Sequence, residues 1–219
     1  MEKDNMNLVY ETKLGKLYHG DTIFSSEYID YESLDLVFTD PPYPRQFMHC
    51  YDYLADIFPP LMKVGASLLT IVGHYALEEI MVKFLGKLKY RWIFDLDQEE
   101  DSHARMAMGI EVVWKPMLWY VKDKFPRERN YGFMRDKIII PKKDKSLHEW
   151  QQSLAWCHDI ISKITKPNEL VCDPFMGAGT VAIACEQLGR RWIGIDCDKR
   201  AIDITIQRLK EYEQSSRSR

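Results

Sequence analysis

Two short runs of this 219-residue chain bring together residue types that can do chemistry. The first is Asp40-Pro41-Pro42-Tyr43, which sets a carboxylate, two positions without a backbone N–H and an aromatic face in four consecutive places. Proline fixes φ and cannot extend a strand, so this run must be a rigid turn. Its carbonyls and carboxylate are acceptors suited to the N–H groups of a planar amino-bearing ring, on which Tyr43 could stack. The second run is Asp173-Pro174-Phe175-Met176-Gly177-Ala178-Gly179-Thr180. Its glycines permit a tight turn that lets backbone approach a ligand closely. Asp196, about twenty residues on, could accept hydrogen bonds from ribose hydroxyls. Gly177-x-Gly179-x-x-Ala182 with a later acid also matches a dinucleotide fingerprint, so the residues alone leave a nicotinamide-dependent oxidoreductase open. No lysine follows the glycines, which excludes a nucleoside-triphosphate loop.

Both runs need a scaffold that delivers them to one place. Residues 34–39, 67–72, 169–172 and 191–195 are short and rich in apolar side chains, as strands covered on both faces should be, and 17–19 is a shorter candidate. Between them Leu77, Ile80, Met81, Phe84 and Leu85 fall on one helical face. Leu154, Cys157, Ile160, Ile161 and Ile164 do the same, as do Ile202, Ile206 and Leu209. This alternation predicts an α/β fold with a doubly wound, mostly parallel sheet. Each chemical run directly follows a predicted strand, at the strand ends where open α/β sheets bind ligands.

Composition narrows the class further. The formal charge is −3 and apolar residues make up 46% of the chain, which is ordinary globular composition. No apolar run approaches the roughly 18 residues of a membrane span. The polar start, Met1-Glu2-Lys3-Asp4-Asn5, is unlike a signal-peptide core, so a cytoplasmic protein without a membrane partner is expected. Five scattered cysteines without a Cys-x-x-Cys pair argue against disulfides and zinc, and the six histidines suggest no metal site. No Gly-x-Ser-x-Gly elbow is present. The acidic stretch 95–101 reads as a solvated loop. Residues 115–145 hold ten basic against four acidic side chains, a balance of +6 that leaves −9 on the remainder. Trp114, Trp119, Tyr120, Phe125, Tyr131 and Phe133 lie in or beside that stretch. A basic, aromatic-interleaved segment can be a phosphate-contacting surface or simply a solvated strand and loop.

Taken together, the two motifs resemble those of the S-adenosylmethionine-dependent amino-group DNA methyltransferases. Asp40-Pro41-Pro42-Tyr43 is similar to their catalytic motif, and the run from Asp173 to Thr180 to their cofactor motif. The catalytic motif comes first here, the order of the permuted β class, in which an element like Leu17-Tyr18-His19-Gly20-Asp21 precedes the catalytic strand. The resemblance spans the chain from Leu17 to about Leu209. It implies one catalytic domain over residues 1–219 on a Rossmann-like methyltransferase fold, with S-adenosylmethionine as cofactor and double-stranded DNA as partner. Asp40 and the Pro41 carbonyl would accept from the target amino group, with Pro42 fixing the turn and Tyr43 stacking on the base. Asp173, Pro174, Phe175, Gly177, Gly179 and Thr180 would line the cofactor, with Asp196 at the ribose and Asp21 near the adenine. Asp198 is expected to face solvent.

One departure stands out. Where family members often carry His-x-x-x-Lys-Pro, this chain reads His148-Glu149-Trp150-Gln151-Gln152-Ser153, so Ser153 or nearby backbone N–H groups are the candidates for the cofactor carboxylate. Asp at the first motif position favours N6 of adenine; N4 of cytosine, or an RNA substrate, is the alternative. Cytosine C5 chemistry needs a cysteine nucleophile, typically after proline, and no Pro-Cys occurs. The basic insert at about 122–147 is the candidate recognition region, with Arg127, Arg129, Asn130, Arg135 and Lys137 facing groove or phosphate. That is small for reading several base pairs, so a very short site or a homodimer with greater reach is expected. The chain could serve alone or as half of a restriction system.

Overall fold

The computed structural model describes residues 6–98, 104–124, 134–140 and 149–217. Eleven strands are formed there: β1 (Asn7–Glu11), β2 (Gly15–His19), β3 (Leu34–Thr39), β4 (Met62–Ile71), β5 (Lys89–Gln98), β6 (Ala104–Met106), β7 (Ile110–Val112), β8 (Trp114–Val121), β9 (Lys137–Ile140), β10 (Leu170–Asp173) and β11 (Arg191–Asp196). The helices are α1 (Ser25–Tyr28), α2 (His49–Asp56), α3 (Phe58–Leu61), α4 (Leu77–Lys83), α5 (Glu149–Ile164), α6 (Thr180–Leu188) and α7 (Lys199–Arg217).

Nine strands form one sheet in the order β1-β2-β11-β10-β3-β4-β8-β5-β9, and β6 and β7 make a separate hairpin. From β2 to β4 the neighbours are all parallel, whereas β8 runs antiparallel to both β4 and β5. All six residues of β3 are buried, the both-faces-covered pattern expected of a central parallel strand. Leu36, Phe38, Met117, Trp119 and Val171 pack into one apolar layer with α5, α6 and α7. Val37, Leu68, Leu118, Tyr120 and Cys172 pack into the opposite layer with α2 and α4. The carboxyl ends of β2, β11, β10, β3 and β4 therefore share one edge, and antiparallel β8 brings its first residues to that same edge.

Two expectations are corrected here. Asp95 and Asp97 of the acidic stretch are strand residues of β5, where Asp97 carboxylate meets Lys137 Nζ at 2.7 Å. Trp119 and Tyr120 are core side chains of β8 rather than surface aromatics, only 5% and 2% exposed. Strand alternation, not nucleic-acid stacking, explains that part of the aromatic pattern. Among the described residues no helix is long and apolar enough to cross a membrane, and no His/Cys/Asp/Glu group could hold a metal ion. All five cysteines are free.

Candidate active site

Asp40 stands immediately past β3, and Asp173 and Asp196 end β10 and β11. In the order β11-β10-β3 these are three adjacent strands, so three carboxylates gather at one edge of the sheet. Asp173 is buried; its Oδ1 accepts from Thr39 Oγ1 at 2.6 Å and from the Phe175 N–H at 3.1 Å. Burial pushes its carboxyl up to about 7, with those two bonds pulling down and Asp196 and Asp40 pushing up. Asp196 is raised as well, chiefly by burial, although the N–H groups of Gly177 and Asp198 donate to its two oxygens at 2.7 and 2.8 Å.

The turn after β10 takes its shape from glycine. Gly177 and Gly179 lie at φ +54° and +77°, in the left-handed region that favours glycine. A Cβ on Gly179 would sit 2.7 Å from Thr205 Cγ2. The turn is braced from outside: Thr205 Oγ1 donates to the Gly177 carbonyl at 2.9 Å, Thr22 Oγ1 to the Pro174 carbonyl at 2.5 Å, and buried Arg208 to the Ala178 carbonyl. Thr180 opens α6, and Phe175 packs half-buried against the apolar layer under α2 and α4. Asp21 caps the short turn at Thr22–Phe24 through the Ile23 N–H at 3.0 Å. It lies beside Asp196, because the Gly20 N–H donates to the Asp196 carbonyl. Cys50 of α2 reaches the same end: burial, together with Asp21 and Cys197, pushes its thiol up to about 11. Asp198 is exposed, as expected, and caps α7 through the Arg200 N–H.

The Asp40 turn is built differently. Pro41 is buried and Tyr43 half-buried, and the Tyr43 hydroxyl donates to Asp40 Oδ1. Tyr75 donates to the Tyr43 carbonyl, and Lys115 Nζ lies 5.0 Å from the centre of the Tyr43 ring. Asp40 is accessible at the rim, yet desolvation lifts its carboxyl above the ordinary range, opposed by the Tyr43 bond and by Lys115.

The motif residues Asp40, Pro41, Pro42, Tyr43, Asp173, Pro174, Phe175, Gly177, Gly179, Thr180 and Asp196, with Asp21, thus come to a single edge. Ser153 is a residue of α5, and its side chain and His148 lie outside the described residues. Arg127, Arg129 and Asn130 also lie outside them. Arg135 is exposed just before β9, and Lys137 belongs to β9, which joins the main sheet at its edge and is already paired with Asp97. Part of the presumed insert is therefore sheet. Sequence reasoning missed Thr39, Thr205, Arg208, Tyr75 and Lys115. None of them stands in a motif, and only chain folding brings them to the two turns.

A mostly parallel α/β sheet with a glycine turn, a strand-terminal acid and a proline-fixed turn at one edge is a Rossmann-like methyltransferase fold. Solved structures share it. The M1.HpyAVI–SAM complex superposes with a TM-score of 0.70 at 23% identity, covering 90% of this chain and 100% of that one. The cytosine-N4-specific PvuII DNA methyltransferase gives 0.77 at 15%, covering 92% and 89%. The family itself comes from sequence: the N6/N4 DNA methylase profile matches residues 34–207, a span that includes both motifs. The chain is also 36% identical to the type II methyltransferase M.HinfI of Haemophilus influenzae over 97% of this chain and 72% of that protein. The chain belongs to the N6/N4 DNA methylase family, which displaces the nicotinamide reading of the glycine turn.

Proposed function

We propose that this protein moves a methyl group from S-adenosylmethionine to N6 of adenine in double-stranded DNA, by direct transfer to a flipped base. The observation that carries this is the Asp40-Pro41-Pro42-Tyr43 turn standing at the same edge as the glycine turn, in a chain of the DNA methylase family. The donor set fits the cofactor. Burial above all pushes Asp40, Asp173 and Asp196 over the usual carboxylate range, and a cationic ligand beside them would favour their ionised forms. Left-handed Gly177 and Gly179 leave the backbone open to close approach. Asp173 and the glycine turn would hold its methionine side, Asp196 the ribose and Asp21 the adenine end.

S-Adenosylmethionine supplies an electrophilic methyl on a sulfonium. An exocyclic amino nitrogen is a poor nucleophile because its lone pair is delocalised into the ring. Asp40 and the Pro41 carbonyl would accept its two N–H groups and stabilise the positive charge that develops on it. Tyr43 would stack on the base and offset part of the few kcal/mol that unstacking costs. Positioning would supply much of the rest of the acceleration. Of the two described candidates in the recognition region at about 122–147, Arg135 is the one proposed to contact phosphate, because Lys137 is paired with Asp97.

The test is incubation with methyl-deuterated S-adenosylmethionine and mixed-sequence duplex DNA, then digestion and mass analysis of the nucleosides. Labelled N6-methyladenine is expected. Labelled N4-methylcytosine would overturn the choice of base, and label only in RNA run in parallel would overturn the substrate.

A further inference from the structure

Strand β8 returns antiparallel to β4, so Lys115 near its start arrives at the catalytic edge. Alternation along β8 sends Met117, Trp119 and Val121 into the layer under α5 and α6, and Leu118 and Tyr120 into the other. Lys115 shares the parity of Met117. Tyr43 packs against the Met117 layer, and the lysine ammonium meets the ring there at 5.0 Å from its centroid. Tyr43 in turn donates to Asp40. Carboxylate, phenol and ammonium thus form one contact set drawn from two strand ends that are distant in sequence.

We propose that Lys115 is a positioning residue for methyl transfer: it keeps Asp40 ionised and covers the Tyr43 face until a flipped base takes its place. This rests on the reading of Asp40 as acceptor for the target amino group. A protonated carboxyl turns one acceptor oxygen into a donor and can no longer receive the amino N–H groups in full. Among the described residues, the groups that face Asp40 are Tyr43 from its own turn, Tyr51 from α2, Asp173 from β10 and Lys115 from β8. Of these only Lys115 is a cation, so it opposes the desolvation that favours the neutral acid. A cation over an aromatic face is held weakly enough for a stacking base to displace it.

The experiment compares single-turnover methyl transfer across pH for the wild type, Lys115→Met, Lys115→Gln and Lys115→Arg. Cofactor affinity and melting temperature are measured alongside as checks on folding. In the two neutral variants the acid limb of the rate profile should move up by about one pH unit. On the acid limb their rate should fall by up to about tenfold, with the plateau at higher pH kept, while cofactor affinity holds and Lys115→Arg stays close to wild type. An acid limb that superimposes on the wild-type limb in both neutral variants would overturn the role, whatever the rate. So would a loss confined to KM for DNA, which would mark Lys115 as a simple phosphate contact. A wild type that transfers no methyl, or an Asp40→Asn variant at full rate, would instead remove the reading of Asp40 and the role of Lys115 with it.

Discussion

The turn after β10 is held by Thr205, Arg208 and Thr22 on three successive stretches of its backbone, and by the Asp196 carboxylate on the Gly177 N–H. The turn after β3 is held by side chains at the rim: Tyr43 on Asp40, Tyr75 on the Tyr43 carbonyl, and Lys115 over the ring. The first turn is locked by buried and half-buried hydrogen bonds. The second keeps its polar groups engaged with one another in contacts that a ligand can exchange. A small cofactor gains affinity from a rigid, preformed site, because little ordering remains to be done on binding. A base leaving a duplex needs a site that can open for it and then close on it.

If the two turns are separable, Asp40→Ala should lower methyl transfer by about 1,000-fold or more, the scale of losing a main electrostatic group. The rise in melting temperature on adding cofactor should survive, and equal loss of both would break the comparison. Next in size is Gly179→Ala, which forces a Cβ against Thr205 Cγ2 at a φ of +77°. Calorimetric titration should show cofactor affinity falling at least tenfold, and urea unfolding a loss of about 1–3 kcal/mol. At Gly177, where the nearest atom to an added Cβ is the Phe175 carbonyl at 3.9 Å, only the cost of the left-handed backbone remains. That cost is about 1–2 kcal/mol.

Protonation sharpens the same contrast. Asp173 titrates near 7 in the folded chain against an ordinary 3.8. Between those values the folded state holds a proton that the unfolded state has released. The stability of the unliganded protein should therefore fall as pH rises through that window. Asp173→Asn should flatten this slope in urea unfolding at a series of pH values. A cationic cofactor favours the ionised carboxylate, so its affinity should climb with pH up to about 7 and release protons as it binds, which calorimetry in two buffers detects. The smallest effects belong to the β9 side. Arg135→Ala should weaken DNA binding a few-fold and reduce the salt slope by about one, as loss of one phosphate contact would. Lys137→Ala should do less, since its Nζ is committed to Asp97 at 2.7 Å.

The strands at 34–39, 169–172 and 191–195 were legible because central strands of a covered sheet are mostly apolar, and each structural strand matches within a residue or so. Strand β4 begins five residues before its apolar run, at Met62, because Lys63 and Val64 face outward there. Strands β5 and β9 were not legible: Asp95 and Asp97 sit half-buried between β8 and β9, and Asp97 pairs with Lys137 across that contact, so strand residues there carry charge. The acids of β5 therefore read as loop, and β9 as part of an insert. The Asp40 and glycine turns were legible because proline and glycine act on their own backbone. Thr205 and Arg208 sit on α7 as ordinary helix residues, and nothing local marks them as braces.

What the sequence determined by itself is the chemistry of two turns and the alternation that must carry them. Fixed φ at Pro41 and Pro42, positive φ at Gly177 and Gly179, and apolar runs of strand length are short-range properties of the chain. What only the tertiary structure decided is the company those turns keep. The placement of β10 between β11 and β3 gathers three carboxylates at one edge of the sheet, and the antiparallel return of β8 sets Lys115 beside Asp40 and Tyr43. Strand order is chosen by packing across the whole sheet, so these contacts, and the burial that pushes the Asp40 and Asp173 carboxyls upward, exist only once it has formed.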